Sequence, residues 1–174
     1  MEEATERLVK LFLESESYLV RTNKKYKIAK NNYPQIDIIA MQTGKHKGVL
    51  PKKIIGEVKS YGITPAHLGK KFLEKHGLKQ RDDSNRLKIV SNSFYRKRVL
   101  GKVEEEYGKG FKYVIFAHGI QKKREEEIKQ ELQKKDIQLM ELKTIIKGLI
   151  PYSKKQGYTG EPELQLIKLI EENK

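Results

Sequence analysis

At 174 residues, the chain is long enough for one domain with a substantial core, because a chain of this size typically buries about 70% of its unfolded surface. Hydrophobic residues make up 37% of the sequence, and its 13 glycines bring the apolar total near the usual globular range, which excludes disorder of the whole chain. The 37 Lys and Arg residues against 23 Asp and Glu give a net charge of +14, which predicts a polyanionic partner, nucleic acid before anionic lipid.

The absence of cysteine excludes disulfides, thiolate zinc sites and thiol nucleophiles, so any metal must be held by oxygen or imidazole. No apolar run approaches the roughly 20 residues of a membrane-spanning helix. The acidic start MEEATERLVK also differs from the basic start of a signal peptide. We therefore predict a soluble, cytoplasmic protein that has no membrane partner.

The first third of the chain predicts one helix followed by three strands. Apolar residues at helical spacing predict the helix over 3–16. Its buried stripe is predicted to contain Ala4, Leu8, Leu11 and Phe12, widened by Val9 and Leu13. Runs rich in β-branched residues predict strands at 18–22, 35–41 and 52–60. The glycine-bounded segment 43–48 predicts a turn, so the last two strands should form a hairpin.

The next segment, 61–92, is polar and irregular, and we interpret it as a basic insertion within a single domain that covers residues 1–174. A short helix is predicted over 65–77. The composition of residues 79–86 is typical of an exposed loop.

The rest of the chain, from residue 93 onward, predicts a strand–helix–strand unit between two helical segments. A helix is predicted over 93–107, with Leu100, Val103 and Tyr107 on one face. The unit itself is predicted as a strand at 112–118, a helix at 121–134 and a strand at 137–142. Short links between these elements imply a parallel crossover, which needs helices packed against the sheet. A helical extension at about 148–174 follows, in which a loop at 151–162 precedes a final helix. The predicted fold is α/β, with a central mixed sheet flanked by helices.

Two charged residues interrupt the apolar run IIGEVKSYG. Because side chains alternate across a strand, Glu57 and Lys59 point to the same face. If the hairpin folds symmetrically about Lys47, Asp37 lies opposite Glu57, and directly opposed residues have Cβ atoms about 4.5–5.5 Å apart. Two carboxylates at that separation repel one another unless one is protonated or a cation lies between them. Mg²⁺ suits such a pair, because it takes few carboxylates and keeps waters for phosphate oxygens.

The segments TERLVKLF, IDIIA and GEVKS, in this order, resemble the PD-(D/E)xK nuclease superfamily, and over about residues 4–60 the chain is similar to archaeal Holliday junction resolvases. The resemblance implies a restriction-endonuclease-like core. It also implies a metal set of Asp37, Glu57 and Val58, with catalytic roles for Asp37, Glu57 and Lys59. An acid on the first helix contributes in the resolvase-like members, and it corresponds here to Glu6. Position 36 carries Ile where the family's nominal motif has proline.

These observations predict a Mg²⁺-dependent endonuclease that hydrolyses DNA phosphodiesters, with Mn²⁺ as a substitute ion. Cleavage specific for a DNA structure and restriction-type cleavage both remain open, and both favour a homodimer, since two strands must be cut by symmetric sites. A nucleic-acid-binding protein that kept the fold without the chemistry is the alternative, and RNA is a third possible substrate. The residues predicted to contact phosphates are Lys45, Lys47, Lys70, Lys71, Arg96 and Arg98.

Several of these residues also have plainer interpretations. Glu57 and Lys59 are also consistent with a solvated strand face on which Asp37 and Lys59 form an ion pair. His67 is either a general base or an ordinary surface or core histidine. Tyr61 or Tyr95 is a candidate for stacking on an unpaired base.

Overall fold

The computed structural model describes residues 2–44, 48–78, 87–155 and 161–172. Two of the predicted phosphate contacts, Lys45 and Lys47, lie outside the described residues, as does the predicted loop at 79–86. The catalytic and metal-binding candidates lie within them.

One five-stranded mixed sheet organises the described residues. Its strands are β1 (Tyr18–Lys25), β2 (Gln35–Gln42), β3 (Lys53–Lys59), β4 (Lys112–Ala117) and β5 (Ile137–Glu141). The strands lie in chain order. The pairs β1–β2 and β2–β3 are antiparallel, and the pairs β3–β4 and β4–β5 are parallel. The predicted parallel crossover between β4 and β5 is therefore confirmed, and so is an α/β fold with a mixed sheet.

Helices cover both faces of the sheet. They are α1 (Glu2–Ser15), α2 (Lys70–Lys75), α3 (Lys88–Ser91), α4 (Ser93–Tyr107), α5 (Glu125–Lys134), α6 (Leu142–Lys155) and α7 (Pro162–Glu172). Two short 3₁₀ helices, Pro65–Leu68 and Lys122–Arg124, precede α2 and α5. Among the helices of the described residues, none is long and apolar enough to cross a membrane.

Alternation along the strands separates two apolar cores. The α1 face of the sheet consists of Ile38, Ala40, Ile54, Val58, Val114 and Phe116, which pack against α1, α6 and α7. The α4 face consists of Ile39, Ile55, Tyr113, Ile115 and Ala117, which pack against α4, α5 and the segment between β3 and α4. Gly56 belongs to the α1 face, where a Cβ atom would lie 2.9 Å from a Phe116 ring carbon. The predicted division of β3 into two faces is therefore confirmed.

The described part of the segment 61–92 contributes side chains to the core. Ile63, Leu68, Phe72 and Ile89 are buried in the core beneath the α4 face. Gly69, at the corner between the 3₁₀ helix and α2, has φ +91° and lies so close to α3 that a Cβ atom would be 2.8 Å from the Ser91 Cβ. The described part of this segment is therefore one layer of the domain.

Three details of the helices differ from the predictions. The helix predicted over 65–77 is broken at Gly69 into the 3₁₀ helix Pro65–Leu68 and the short helix α2 (Lys70–Lys75). In α1 the buried positions are Thr5, Val9, Phe12 and Leu13, whereas Ala4 is exposed. The predicted loop at 151–162 is wrong over its first five residues, because α6 continues through Pro151 to Lys155. Burial of Leu149 and Ser153 on one side of α6 outweighs the hydrogen bond that proline cannot donate.

Candidate active site

The hairpin of β2 and β3 has the register that places the two candidate acids side by side. Ile38 pairs with Gly56 and Ile39 with Ile55, so the next position along the ladder sets Asp37 beside Glu57. Both residues share the α4 face with Ile39 and Ile55. The site lies at the carboxyl end of β3, next to the carboxyl end of the parallel strand β4, where open α/β sheets commonly bind ligands.

The acids and the lysine are held by short contacts within the sheet. Asp37 Oδ2 accepts a hydrogen bond of 2.8 Å from the main-chain N–H of Val58. The ammonium of Lys59 lies 3.1 Å from Glu57 Oε1, and the two side chains are only 15% and 22% exposed. Glu57 and Lys59 are therefore mostly withdrawn from water and paired with each other. The Val58 side chain is fully buried on the α1 face, so only its main chain is available to the site.

Tyr95 covers the pair from the first turn of α4. Its ring is 9% exposed, and its main-chain N–H donates to Oδ1 of Asn92, which caps the helix. Burial, followed by the charges of Glu57 and Asp37, raises the pKa of Tyr95 to about 12. A cavity of about 10 Å³ lies among Gln35, Glu57 and Tyr95, which is about the volume of one water.

Tyr95 was missed as a member of the site, although its position could have been read from the sequence. Tyr95, Val99 and Val103 are the buried residues of α4, spaced four apart. Val103 belongs to the predicted stripe, and two steps of four residues back from Val103 reach Val99 and then Tyr95. Because the ring is buried, the hypothesis that Tyr95 stacks on an unpaired base is wrong.

His67 lies near the lysine, in the 3₁₀ helix Pro65–Leu68. The main-chain N–H of Thr64 donates to His67 Nδ1 over 2.9 Å, so Nδ1 is an acceptor and the neutral ring carries its proton on Nε2. Burial lowers the pKa of His67, and the positive charge of Lys59 lowers it further. A neutral imidazole beside Lys59 is therefore part of the site's surroundings.

Glu6 reaches the edge of this site through a polar chain on β1. Asn23 Nδ2 donates to Glu6 Oε2 over 3.4 Å, and Asn23 Oδ1 accepts from Gln35 Nε2 over 2.6 Å. Asn23 lies beside Asp37, because Thr22 pairs with Ile38 and Lys24 with Ile36. Its φ of +58° is a left-handed conformation that asparagine tolerates better than most residues. The structure thus links Glu6 to Asn23, a residue whose main chain lies beside Asp37 on the neighbouring strand.

The predicted phosphate contacts that are described differ in their exposure. Lys70 and Lys71 are exposed on α2, and Arg98 is exposed on α4 with its guanidinium 5.1 Å from the centre of the Phe94 ring. Arg96 is instead half-buried, and its Nη1 donates to the carbonyl of Ile89 over 2.7 Å. Arg96 therefore ties α4 to α3.

The donor set fits a hard cation held by few protein ligands. Asp37 and Glu57 offer oxygen donors at adjacent positions, which is how Mg²⁺ is commonly bound, with water filling the remaining positions. Within the described ranges, three or more His, Asp or Glu side chains nowhere gather into a possible metal cage. A metal that needs many protein ligands does not fit here.

A larger cavity lies away from these residues. It has a volume of about 740 Å³ and lies between β5 and α5, with Lys129, Gln133 and Ile137 in its wall. None of the candidate catalytic residues lines it. The candidate site lies instead at the end of the sheet, where the side chains of Glu57 and Lys59 are 22% and 15% exposed.

Comparison of the chain with protein-family models, with curated proteins and with solved structures finds no match. The class of the molecule therefore follows from its own architecture. It is an α/β protein whose five-stranded mixed sheet carries two acids and a lysine at one end.

Proposed function

We propose that this chain is a Mg²⁺-dependent endonuclease that hydrolyses DNA phosphodiesters, with a restriction-endonuclease-like core. The observation that carries the proposal is the hairpin register from Ile38–Gly56 onward, which sets Asp37 beside Glu57, together with the contact of 3.1 Å between Glu57 and Lys59. A protein that only had to fold gains little from two acids and a lysine that are mostly withdrawn from water, because burial of charge is costly.

Each of the three side chains has a distinct role in this proposal. Asp37 and Glu57 would hold the ion, and the main chain of Val58 is the third candidate donor. A bound Mg²⁺ neutralises charge on the phosphate and lowers the pKa of a coordinated water. Lys59 orients the attacking water and stabilises the charge of the pentacovalent state, which its compact ammonium suits. Glu57 keeps that ammonium in place through the contact of 3.1 Å.

Glu6 and Tyr95 support the three residues from opposite sides. Glu6 restrains Asn23, which lies next to Asp37 on the neighbouring strand. Tyr95 closes one side of the acid pair with a buried ring. Both side chains therefore limit the movement of the carboxylates, and a fixed geometry is what metal-assisted phosphoryl chemistry requires.

DNA as the substrate is supported by charge. The chain carries a net charge of +14, and the exposed Lys70, Lys71 and Arg98 offer phosphate contacts. Such an interface releases counterions, so log affinity should fall with log salt by roughly 0.9 for each phosphate contacted. Filter binding of duplex DNA across a salt series measures this slope, and an affinity that is independent of salt would contradict the partner. We also propose a homodimer, because two symmetric sites are needed to cut both strands of a duplex.

The test of the reaction is nicking of supercoiled plasmid in Mg²⁺ by matched variants. Glu57→Gln and Asp37→Asn should reduce the nicking rate by about 100-fold or more, since several kcal/mol of transition-state stabilisation depend on the ion. Glu131→Gln is the matched control, because Glu131 pairs with Lys135 and is 21% exposed, close to the 22% of Glu57. Wild-type nicking by Glu57→Gln would exclude the proposed metal site.

A nucleic-acid-binding protein without chemistry is the second candidate. It is favoured by the contacts that occupy both acids, since Asp37 accepts from Val58 and Glu57 pairs with Lys59. This candidate predicts salt-dependent DNA binding together with no nicking in Mg²⁺ or Mn²⁺ on duplex, junction, flap, single-stranded DNA or RNA. Isothermal titration with Mn²⁺ separates the two candidates independently of substrate, because only a nuclease needs the ion to bind at Asp37 and Glu57.

A further inference from the structure

An aromatic stack stands at the edge of the proposed site. The rings of Tyr61 and His67 lie with their centres 5.2 Å apart and their planes 21° apart. His67 is 7% exposed, whereas Tyr61 is 43% exposed, so the histidine forms the inner layer and the tyrosine keeps open surface. A tyrosine side chain of this kind is large, apolar on its face and exposed to solvent.

His67 is held by one main-chain contact to its ring and by another to its own carbonyl. The N–H of Thr64 donates to His67 Nδ1 over 2.9 Å, and the N–H of Leu87 donates to the His67 carbonyl over 3.1 Å. Gly69 holds the following corner tightly against Ser91 of α3. The stack is therefore a preorganised surface, which lowers the entropy that a ligand must lose on binding.

The position of the stack relates it to the acid pair. Tyr61 follows Lys59 by two residues, so the Cα atoms of these two residues are at most about 7 Å apart. The main-chain carbonyl of Tyr61 accepts from the N–H of His118 over 3.3 Å, which anchors it to the end of β4. Lys70 and Lys71 are exposed on the helix that follows the 3₁₀ helix of His67. A polynucleotide strand bound at Lys59 would therefore lie close to the exposed ring of Tyr61 and to the ammonium groups of Lys70 and Lys71.

We propose that the open face of Tyr61 binds an unpaired nucleobase, so that the preferred substrate of this site is DNA with a single-stranded portion beside the phosphate that is cut. This inference rests on the proposed function and specifies its substrate class. Bases inside a duplex are already stacked on both faces, so an exposed tyrosine ring gains little from them. An unpaired base has a free face, and aromatic stacking of such a base is worth about 1–3 kcal/mol, or roughly 5–150-fold in affinity.

Binding measured in EDTA tests this inference without cleavage. The probes are a fluorescein-labelled single-stranded DNA of mixed sequence and the duplex formed with its complement. Tyr61→Leu should weaken binding of the single strand by roughly 5–150-fold and change duplex binding by less than about twofold. Tyr61→Phe should retain the affinity. Tyr33→Leu is the matched control, because Tyr33 is 55% exposed and its ring lies near Lys27.

A fluorescent base gives a second measurement of the same contact. Stacking quenches 2-aminopurine in a single strand, so binding to the wild type should lower its fluorescence, and binding to Tyr61→Leu at saturation should not. An equal loss of affinity for both polymers, or no loss for the single strand, would overturn the inference. Nicking assays on the same variants keep the two proposals apart. Selective single-strand binding without any nicking removes the nuclease but leaves the base site, whereas nicking with unchanged binding removes the base site alone.

Discussion

The two faces of the sheet are built from alternate residues of the same strands, yet they differ in chemistry. The α1 face is apolar along the whole of β3, from Ile54 to Val58, and α1 and α6 close it. The α4 face is apolar at Ile55 but ends in Glu57 and Lys59. The α1 face is therefore packed with apolar side chains along all of β3, whereas the α4 face has charged side chains in place of apolar ones at the carboxyl end of β3.

This difference indicates which residues are present for stability and which are not. A side chain on the α1 face is buried among other apolar groups, so its removal should cost the free energy of a cavity. The ion pair on the α4 face is mostly withdrawn from water, and such pairs are often no better for stability than apolar residues of similar size. Function is then the simplest reason for their presence.

The largest expected effect on stability comes from the α1 face. Phe116 is fully buried, so Phe116→Ala should lower the free energy of unfolding by about 3–5 kcal/mol. Leu19→Ala is the control, because Leu19 is 57% exposed and its truncation should change stability by less than about 0.5 kcal/mol. Urea unfolding followed by circular dichroism measures both values. Similar losses for the two variants would show that the α1 face is not a packed core.

A double-mutant cycle on the ion pair tests the contrast between the faces. Glu57→Leu should destabilise the protein by about 2–4 kcal/mol, somewhat less than for a fully buried pair, because Lys59 then loses its partner at 3.1 Å. The double variant Glu57→Leu with Lys59→Met should recover most of this loss or exceed wild-type stability. The single variant Lys59→Met completes the cycle. If the losses of stability in the two single variants simply add in the double variant, the two residues stabilise the fold independently, and the argument from the cost of burying charge fails.

A smaller effect is expected where β3 approaches the α1 core. An alanine Cβ at position 56 would lie 2.9 Å from a Phe116 ring carbon and 3.0 Å from the Ile38 Cβ, so Gly56→Ala should cost about 1–3 kcal/mol. Gly101→Ala is the control of opposite sign. A Cβ on Gly101, within α4, meets nothing within 4 Å, and the substitution should stabilise the helix by about 0.5–1 kcal/mol. Equal effects of the two substitutions would contradict the close approach at Gly56.

The parts of the fold that were predictable are those in which local pattern and tertiary contact agree. The period of two along 52–60 predicted both faces of β3, and the symmetry of the glycine-bounded turn predicted the pairing of Ile39 with Ile55. The placement of Asp37 beside Glu57 followed from that register. The alternation of side chains and the number of residues on each side of the turn were sufficient to predict the register, because a hairpin joins strands that are neighbours in sequence.

The parts that were not predictable depend on distant contacts. Ile63, Leu68 and Phe72 have no regular spacing, so nothing local indicated that they fill the core beneath the α4 face. Pro151 indicated a loop, but burial of Leu149 keeps α6 intact around it. The burial of His67 also depends on distant contacts, whereas the orientation of its ring is fixed by Thr64, only three residues earlier in the chain.

The smallest expected effect is a pH dependence of stability that comes from His67. Burial, followed by the charge of Lys59, lowers the pKa of His67 in the folded protein below the usual value of about 6.5. Above about pH 6.5 the imidazole is neutral in both states, so its contribution to stability is fully present. As the pH falls further, the unfolded chain binds the proton first, and stability decreases until the pH has passed through the lowered pKa of the folded state.

The variant His67→Asn tests this pH dependence. Its side chain offers an acceptor to Thr64 but cannot titrate, so the stability of the variant should fall less steeply between about pH 6.5 and pH 5. His76, which lies 3.4 Å from Glu127, and the exposed His118 are present in both proteins and cancel from the difference. Urea unfolding of the two proteins across this range measures the difference, and parallel curves would show that His67 is not held neutral by its burial.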